Sequence, residues 1–254
     1  MTRSRTRSRR TTLPADTHVG NRILAALLAT EYRRLRPKLE HVRLTRGDII
    51  YRADQCIEEV YFPEEAVIAM IDSMDNGRTV EVGIIGREGL VGINIFLGGV
   101  VTPDKAIVQL SGGASRMKAQ DLRRELRFGS PLQRLLLDYA RAFLAVISQS
   151  VACSQHHSIE RRVARLLLTM SDYAGSRPFL LIHESIATLL GVRRESVTDA
   201  AQKLQVAGLI NYRRGNVTVL NRKGLEKNSC ECYRVIRQQY QGLHRKLPRL
   251  LSTK

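Results

Sequence analysis

Tryptophan is absent from the 254 residues, aromatic residues make up only 5% of them, and acidic residues are scarce beside basic ones, 24 against 41. Four cysteines, at positions 56, 153, 230 and 232, are too few for a disulfide scaffold in a chain of this length. Long apolar runs are missing near the start: the stretch Ile23 to Ala29 has seven residues and cannot span a bilayer. The arginines at 3, 5, 7, 9 and 10 could begin a signal peptide, but residues 11–22 are polar and supply no apolar core, which argues against secretion. There is no Gly-x-Ser-x-Gly, P-loop, Gly-x-Gly-x-x-Gly or His-Glu-x-x-His pattern. Residues 42–117 contain no histidine, which disfavours a cupin-like enzyme with inward-facing metal ligands. Cys230-x-Cys232 and the group Cys153, His156, His157 each fall short of four ligands at zinc-finger spacing, so no metal and no cofactor is expected.

What is present is positive charge. The formal net charge is +17, and removing the five arginines of residues 1–10 still leaves +12. Charge that persists through folded segments favours a polyanionic partner, because Lys and Arg release counterions from phosphates. With 43% hydrophobic residues the chain is too apolar to be wholly disordered. The expectation is a cytoplasmic, non-enzymatic protein with no membrane partner. Composition alone leaves duplex DNA, RNA and anionic surfaces open.

Residues 1–21 read as a flexible basic arm. A helix is expected over 22–36, with Leu24, Leu27, Leu28 and Leu35 on one side and Pro37 as its stop. From Val42 to about Met117 the pattern turns to short β-type segments, clearest at 48–51, 58–62, 66–72, 79–85 and 106–110. Asn76-Gly77 is a hairpin signal between two of them. Such spacing without intervening helices suggests a small antiparallel barrel or jelly roll over 22–129. A short helix is expected at 119–127. Ser130-Pro131 then opens a long helix running to about residue 154, within a segment 130–157. Its stripe Leu132, Leu136, Tyr139, Phe143 and Val146 reads as a homodimer interface. Another amphipathic helix over 158–174 opens a C-terminal module, 158–254.

Within that module, residues 184–190 and about 193–207 form two helices joined at Gly191-Val192. Ile186, Ala187 and Leu190 should face Val197, Ala201 and Leu204. The start of the second helix exposes Arg193, Arg194, Glu195, Ser196, Thr198 and Asp199, with Lys203 further along. Arg for guanine and Glu for cytosine are what a major-groove reader carries at a helix N-terminus. Residues 209–220 add a hairpin with a basic tip, Arg213 and Arg214, completing a winged helix-turn-helix. Residues 175–225 hold eight Lys+Arg against three Asp+Glu. The fold class expected is therefore α+β: a β-roll, a long helix and a winged helix-turn-helix. Double-stranded DNA is the expected partner, and an RNA-binding adaptor is the runner-up.

This layout resembles the Crp/Fnr family of bacterial transcription regulators over roughly residues 22–225. The most specific stretch is Val192 to Ile210, with Gly47-Asp48 and Glu59-Val60-Tyr61-Phe62 in the roll. The resemblance implies a homodimer on a two-fold DNA site, a sensor in the roll and RNA polymerase as a candidate partner. It places Arg194 and Glu195 on the family's base-reading pair, but Asp199 stands where an arginine is common. There is no N-terminal cysteine cluster of the kind iron–sulfur members use. The effector region would comprise Gly86, Arg87, Glu88, Gly89, Gly92 and Lys105. Nucleotide-binding members hold the ribose with a glutamate where this chain has Ile93, and an Arg-Ser/Thr pair is replaced here by Asp104-Lys105. A carboxylate where phosphate should sit is unfavourable. The effector is thus unidentified and is not expected to be a cyclic nucleotide.

Overall fold

Between residues 40 and 118 the chain forms seven strands in two antiparallel sheets, most of their positions buried or half-buried. The computed structural model describes residues 20–250, Asn76 and Arg78 apart. The Arg-rich arm and His18 lie outside that range. One sheet has the order β1 (Glu40–Leu44), β7 (Gly112–Lys118), β3 (Glu59–Pro63). The other has the order β2 (Ile49–Tyr51), β6 (Lys105–Leu110), β4 (Val67–Ser73), β5 (Thr79–Ile85). The hairpin expected between 66–72 and 79–85 forms with Ser73 opposite Thr79; Gly77 in its turn has φ +76°, while Asn76 falls outside the described residues.

β4 explains its own continuous apolar run. Successive side chains point to opposite sheet faces. Ile68 and Met70 enter the roll core with Phe62, Leu90 and Val108. Val67, Ala69 and Ile71 point outward, where Leu166, Leu167, Met170 and Ile186 of the C-terminal module cover them. The roll and that module therefore share one apolar interface, and a strand buried on both faces loses the polar alternation of a half-solvated one.

The helix expected over 22–36 is broken in two: α1 (Arg22–Ala25) and α2 (Ala29–Leu35), followed by a 3₁₀ turn over Arg36–Lys38. Leu28 is extended and caps α2, and so points to solvent rather than joining Leu24, Leu27 and Leu35 in the core. Buried Asn21 anchors α1: its carbonyl oxygen accepts from Ile23 and Leu24 N–H, and its amide donates to the Pro63 and Gly89 carbonyls at 2.8 and 2.9 Å.

After α3 (Ala119–Glu125), Ser130 caps α4 (Pro131–His156), its hydroxyl accepting from Gln133 N–H at 3.2 Å. The stripe Leu132, Leu136, Tyr139, Phe143 and Val146 requires correction as an intersubunit seam. All five are buried within this chain, in the roll core, and Tyr139 stacks on Phe143 at 5.8 Å. The face of α4 left outward carries Leu137, Leu144 and Val151, which are 52%, 62% and 60% exposed. They recur every seventh residue, the spacing of a coiled-coil seam. By length and composition α4 alone among the described helices could cross a membrane, yet its inner face is committed to the roll.

The C-terminal module follows with α5 (Ile159–Tyr173), β8 (Phe179–Leu180), α6 (His183–Leu190), α7 (Arg194–Val206), β9 (Ile210–Arg213), β10 (Asn216–Val219) and α8 (Arg222–Asn228). β8, β10 and β9 form a third small sheet. The last helix, α9 (Cys232–Leu250), runs back along α4, and its Ile236 and Tyr240 enter the roll core.

Candidate nucleic-acid interface

Gly191 makes the turn of the motif. At φ +63° it is left-handed, a conformation that costs glycine no Cβ clash, and its N–H closes α6 onto the Ala187 and Thr188 carbonyls. Ile186, Ala187, Leu190, Val197, Ala201 and Leu204 are all buried, as expected of the packed sides of α6 and α7. Arg162 of α5 donates to the Leu190 carbonyl at 2.5 Å, satisfying one orphan acceptor at the end of α6.

That packing leaves one side of α7 to solvent. Arg193, Arg194, Glu195, Thr198, Asp199 and Lys203 are exposed, and Ser196 is half-buried. Thr198 and Lys203 are engaged within the chain. The Thr198 hydroxyl donates to the Arg194 carbonyl at 3.1 Å and lies 3.0 Å from His183 Nδ1, and Lys203 pairs with Glu160 at 3.6 Å. Arg213 and Arg214 stand exposed at the tip of the β9–β10 wing. Arg213 pairs with Asn216, and the two residues between them, Arg214 and Gly215, have φ +49° and +82°. That is a type I′ turn, and it holds Arg214 left-handed, a region that non-glycine residues seldom enter.

His183, which no local sequence signal singles out, joins these parts. Its ring lies 4.4 Å from that of Tyr212 in the wing, and burial with the nearby Arg194 charge holds its pKa below the usual value. Tyr212 donates its hydroxyl to the Leu181 carbonyl, and its N–H donates to the Gln205 side-chain oxygen at 2.7 Å. α6, α7 and the wing are thereby set in one register.

The expected effector residues do not form one pocket. Gly86 packs so closely on Tyr173 that a Cβ would come within 2.3 Å of its ring, and Tyr173 donates its hydroxyl to buried Glu88. Burial raises the Glu88 carboxyl above its ordinary range. Gly89 abuts Tyr139. Arg87 and Glu88 line a cleft of about 180 Å³ with Arg22, Asp172, Tyr233 and Arg237. Gly92 instead lines a space of about 40 Å³ inside the roll, walled by Tyr51, Met70, Ile93, Asp104 and Phe143. Lys105 opens β6 and borders neither. Burial, with Asp72 nearby, pushes the Asp104 carboxyl up.

The structure also joins residues that the sequence keeps apart. The residues that read as two incomplete sets converge: Cys153 and His157 at the end of α4 meet Cys230 and Cys232 at the α8–α9 junction, with all four ligand atoms within 4.8 Å of one another. His156 is exposed and takes no part. Some 75 residues of separation hide this set from a search for short spacings.

A β-roll followed by a long helix and a winged helix-turn-helix with an exposed, basic second helix defines a DNA-binding transcription-regulator fold. Residues 161–228 match the Crp-like helix-turn-helix domain. The whole fold is similar to FixK2 from Bradyrhizobium japonicum, with TM-score 0.65 and 18% identity, covering 76% of this chain and 98% of that one. It is similar to a CRP-family transcriptional regulator from Thermus thermophilus, with TM-score 0.61, 20% identity and coverage of 74% and 96%. A third similar structure is the c-di-GMP responsive global regulator CLP of Xanthomonas campestris, with TM-score 0.59, 17% identity and coverage of 75% and 98%. No curated protein matches the chain by sequence. The chain carries a Crp-like helix-turn-helix domain on the fold of the Crp/Fnr transcription regulators.

Proposed function

We propose that this chain is a cytoplasmic, homodimeric regulator that reads a pseudo-palindromic site in duplex DNA and acts on transcription with RNA polymerase as its partner. The observation that carries this is the α7 surface: a buried side holds the helix in the motif, while Arg194 and Glu195 stand free at its start beside a basic wing. Arg194 and Glu195 are assigned to base edges, with Ser196 and Asp199 beside them. Arg193, Arg213 and Arg214 are assigned to phosphates. Thr198 and Lys203, tied to His183 and Glu160, position the helix rather than reach the bases. Two subunits pair through the outward face of α4, along Leu137, Leu144 and Val151, placing their recognition helices about 34 Å apart.

The roll acts as the sensor, and its effector is not a cyclic nucleotide. About 40 Å³ of space beside Asp104 is far below the ~300 Å³ at which ligand sites begin. We read the chain as a binding protein, not an enzyme. The deciding experiment is selection of bound sequences from random duplex DNA by the purified protein, followed by competition with RNA of the same sequence. A symmetric motif with half-sites one turn apart, competed by DNA and not by RNA, supports the reading. No enrichment, or equal competition by RNA, overturns it in favour of an RNA-binding adaptor.

A further inference from the structure

The junction between α4, α8 and α9 holds a group of side chains that DNA recognition does not use. Cys153 and His157 are four residues apart at the end of α4, so they share one face of the last turn. Cys230 lies in the link after α8, and Cys232 opens α9. The three thiols are buried, at 0%, 3% and 0% exposure for Cys153, Cys230 and Cys232. Cys153 Sγ lies 3.5 Å from Cys230 Sγ, and Cys232 Sγ lies 3.6 Å from His157 Nδ1.

These separations have the size of a tetrahedral edge. Zn–S bonds of about 2.3 Å at tetrahedral angles put neighbouring sulfurs about 3.8 Å apart. A multinuclear iron–sulfur cluster interposes several atoms between its ligands and would hold them wider than the 4.8 Å seen here. We propose that Cys153, His157, Cys230 and Cys232 bind one thiophilic divalent ion, Zn²⁺ by the chemistry of a Cys₃His set, and thereby clip the C-terminal helix to the long helix.

Three features outside the four ligands point to the same chemistry. The Nε2 of His157 lies 3.2 Å from the Glu231 carboxylate, which leaves Nδ1 turned toward Cys232. A ligating histidine characteristically donates its other N–H to such a carboxylate, and Glu231 sits between the two ligating cysteines of the second pair. Three thiolates, one neutral imidazole and one M²⁺ carry a net charge of −1. Arg162 and Arg165 of α5 are both buried, and both interact electrostatically with Cys153. Each has a buried Nε without a hydrogen-bond partner among the described residues. A compact anionic centre beside them offsets part of that charge, with Glu81 of β5 facing the same two arginines. Gln149 adds an N–H donated to Cys232 Sγ at 3.1 Å.

The test uses the full-length protein, purified under reducing conditions without chelator. Elemental analysis should give one equivalent of zinc in the wild type and in Cys56→Ser, whose thiol is exposed and remote from the cluster. The double variant Cys230→Ser/Cys232→Ser should lose it. Cobalt added to chelator-treated wild type should give the thiolate charge-transfer and intense ligand-field bands of a tetrahedral sulfur-rich site. Glu231→Gln keeps all four ligands and should retain the stoichiometry with affinity lowered by about 10–100-fold. Folded wild-type protein without stoichiometric zinc and without the cobalt bands overturns the proposal. So does a Cys153–Cys230 disulfide trapped by alkylation directly from cells, since the same 3.5 Å approach would then be an oxidised pair in waiting.

Discussion

The contact between the roll and the DNA-binding module contains one carboxyl that should make it sensitive to pH. Glu81 on β5 lies between the sheet and α5, facing Arg165 and Arg162, and its Oε2 is buried without a partner among the described residues. Burial outweighs the two cations and pushes its pKa from 4.5 up to about 7. In the separated module the carboxyl returns to its ordinary value, so the docked state binds a proton more tightly between about pH 4.5 and 7. The docked state is therefore favoured in full below pH 4.5, and the advantage is lost as pH rises through 7. At about 1.4 kcal/mol per pH unit the ceiling is about 3.5 kcal/mol. Partial solvent access and the two arginines reduce this to an expected ~1–2 kcal/mol. Glu81→Gln keeps the shape and removes the titration. Amide exchange of residues 79–85 and 186–190, measured from pH 5 to 8 and corrected for intrinsic rates, reports the docking directly. Wild type should lose protection with rising pH relative to the variant, by a factor of about 5–30. Parallel profiles would refute the assignment of Glu81 as the titrating group.

Leu144→Asp should weaken the dimer by about 3 kcal/mol, on the order of 100-fold, because each of two copies loses an apolar contact, and sedimentation at graded concentrations measures it. Phe143→Ala, in contrast, should cost about 3–5 kcal/mol of subunit stability in urea unfolding without a matching change in dimer affinity, because Phe143 stacks inside the roll. Arg194→Ala should cost about 1–3 kcal/mol on the selected duplex and little on a scrambled one. Arg213→Ala should weaken both alike and lower the salt slope by about one, as titrations at two salt concentrations would reveal.

The helix-turn-helix is legible in the sequence because its signals are local. Gly191 marks the turn, the apolar residues of α6 and α7 keep helical spacing, and Arg213-Arg214-Gly215 marks the wing tip. Ser130-Pro131 likewise announces α4 to the residue. What sequence periodicity does not contain is the identity of the partner that covers an apolar stripe. α4 carries two such stripes, and the inner one, richer in large residues, reads as the subunit seam although the roll occupies it. The unbroken run Ala66 to Ile71 has the same ambiguity: its continuity means burial on both faces, but only the fold shows that α5 and α6 supply the second cover. The Cys₃His group is illegible for a related reason. Its halves are brought together by α9 folding back on α4, a long-range event that no short spacing reports.

The docked arrangement also constrains how a signal in the roll could reach DNA. A ligand shifts an equilibrium only through a difference in affinity between two states, so the sensor must touch something whose position differs between them. Two contacts qualify. The outer face of β4 and β5 carries α5 and α6 directly, and Gly191 in the recognition turn lies close enough to Val80 that a Cβ would come within 3.2 Å of it. The second contact is α9, which runs from the Cys₃His junction to the roll core, where Tyr240 and Ile236 are buried. In the proposed dimer, whose two recognition helices would meet successive major-groove faces about 34 Å apart, a shift of either contact would change the spacing at both half-sites at once. A rearrangement inside the small roll cavity would act on β5 through Val82 and Ile85 and on α4 through Phe143 and Ile147, whereas one in the cleft lined by Arg22, Arg87 and Arg237 would act on α5 and α9 together. The larger of these two spaces thus acts on the DNA-binding module through α5 and α9, while the smaller one reaches the recognition turn through β5 and its Val80–Gly191 contact.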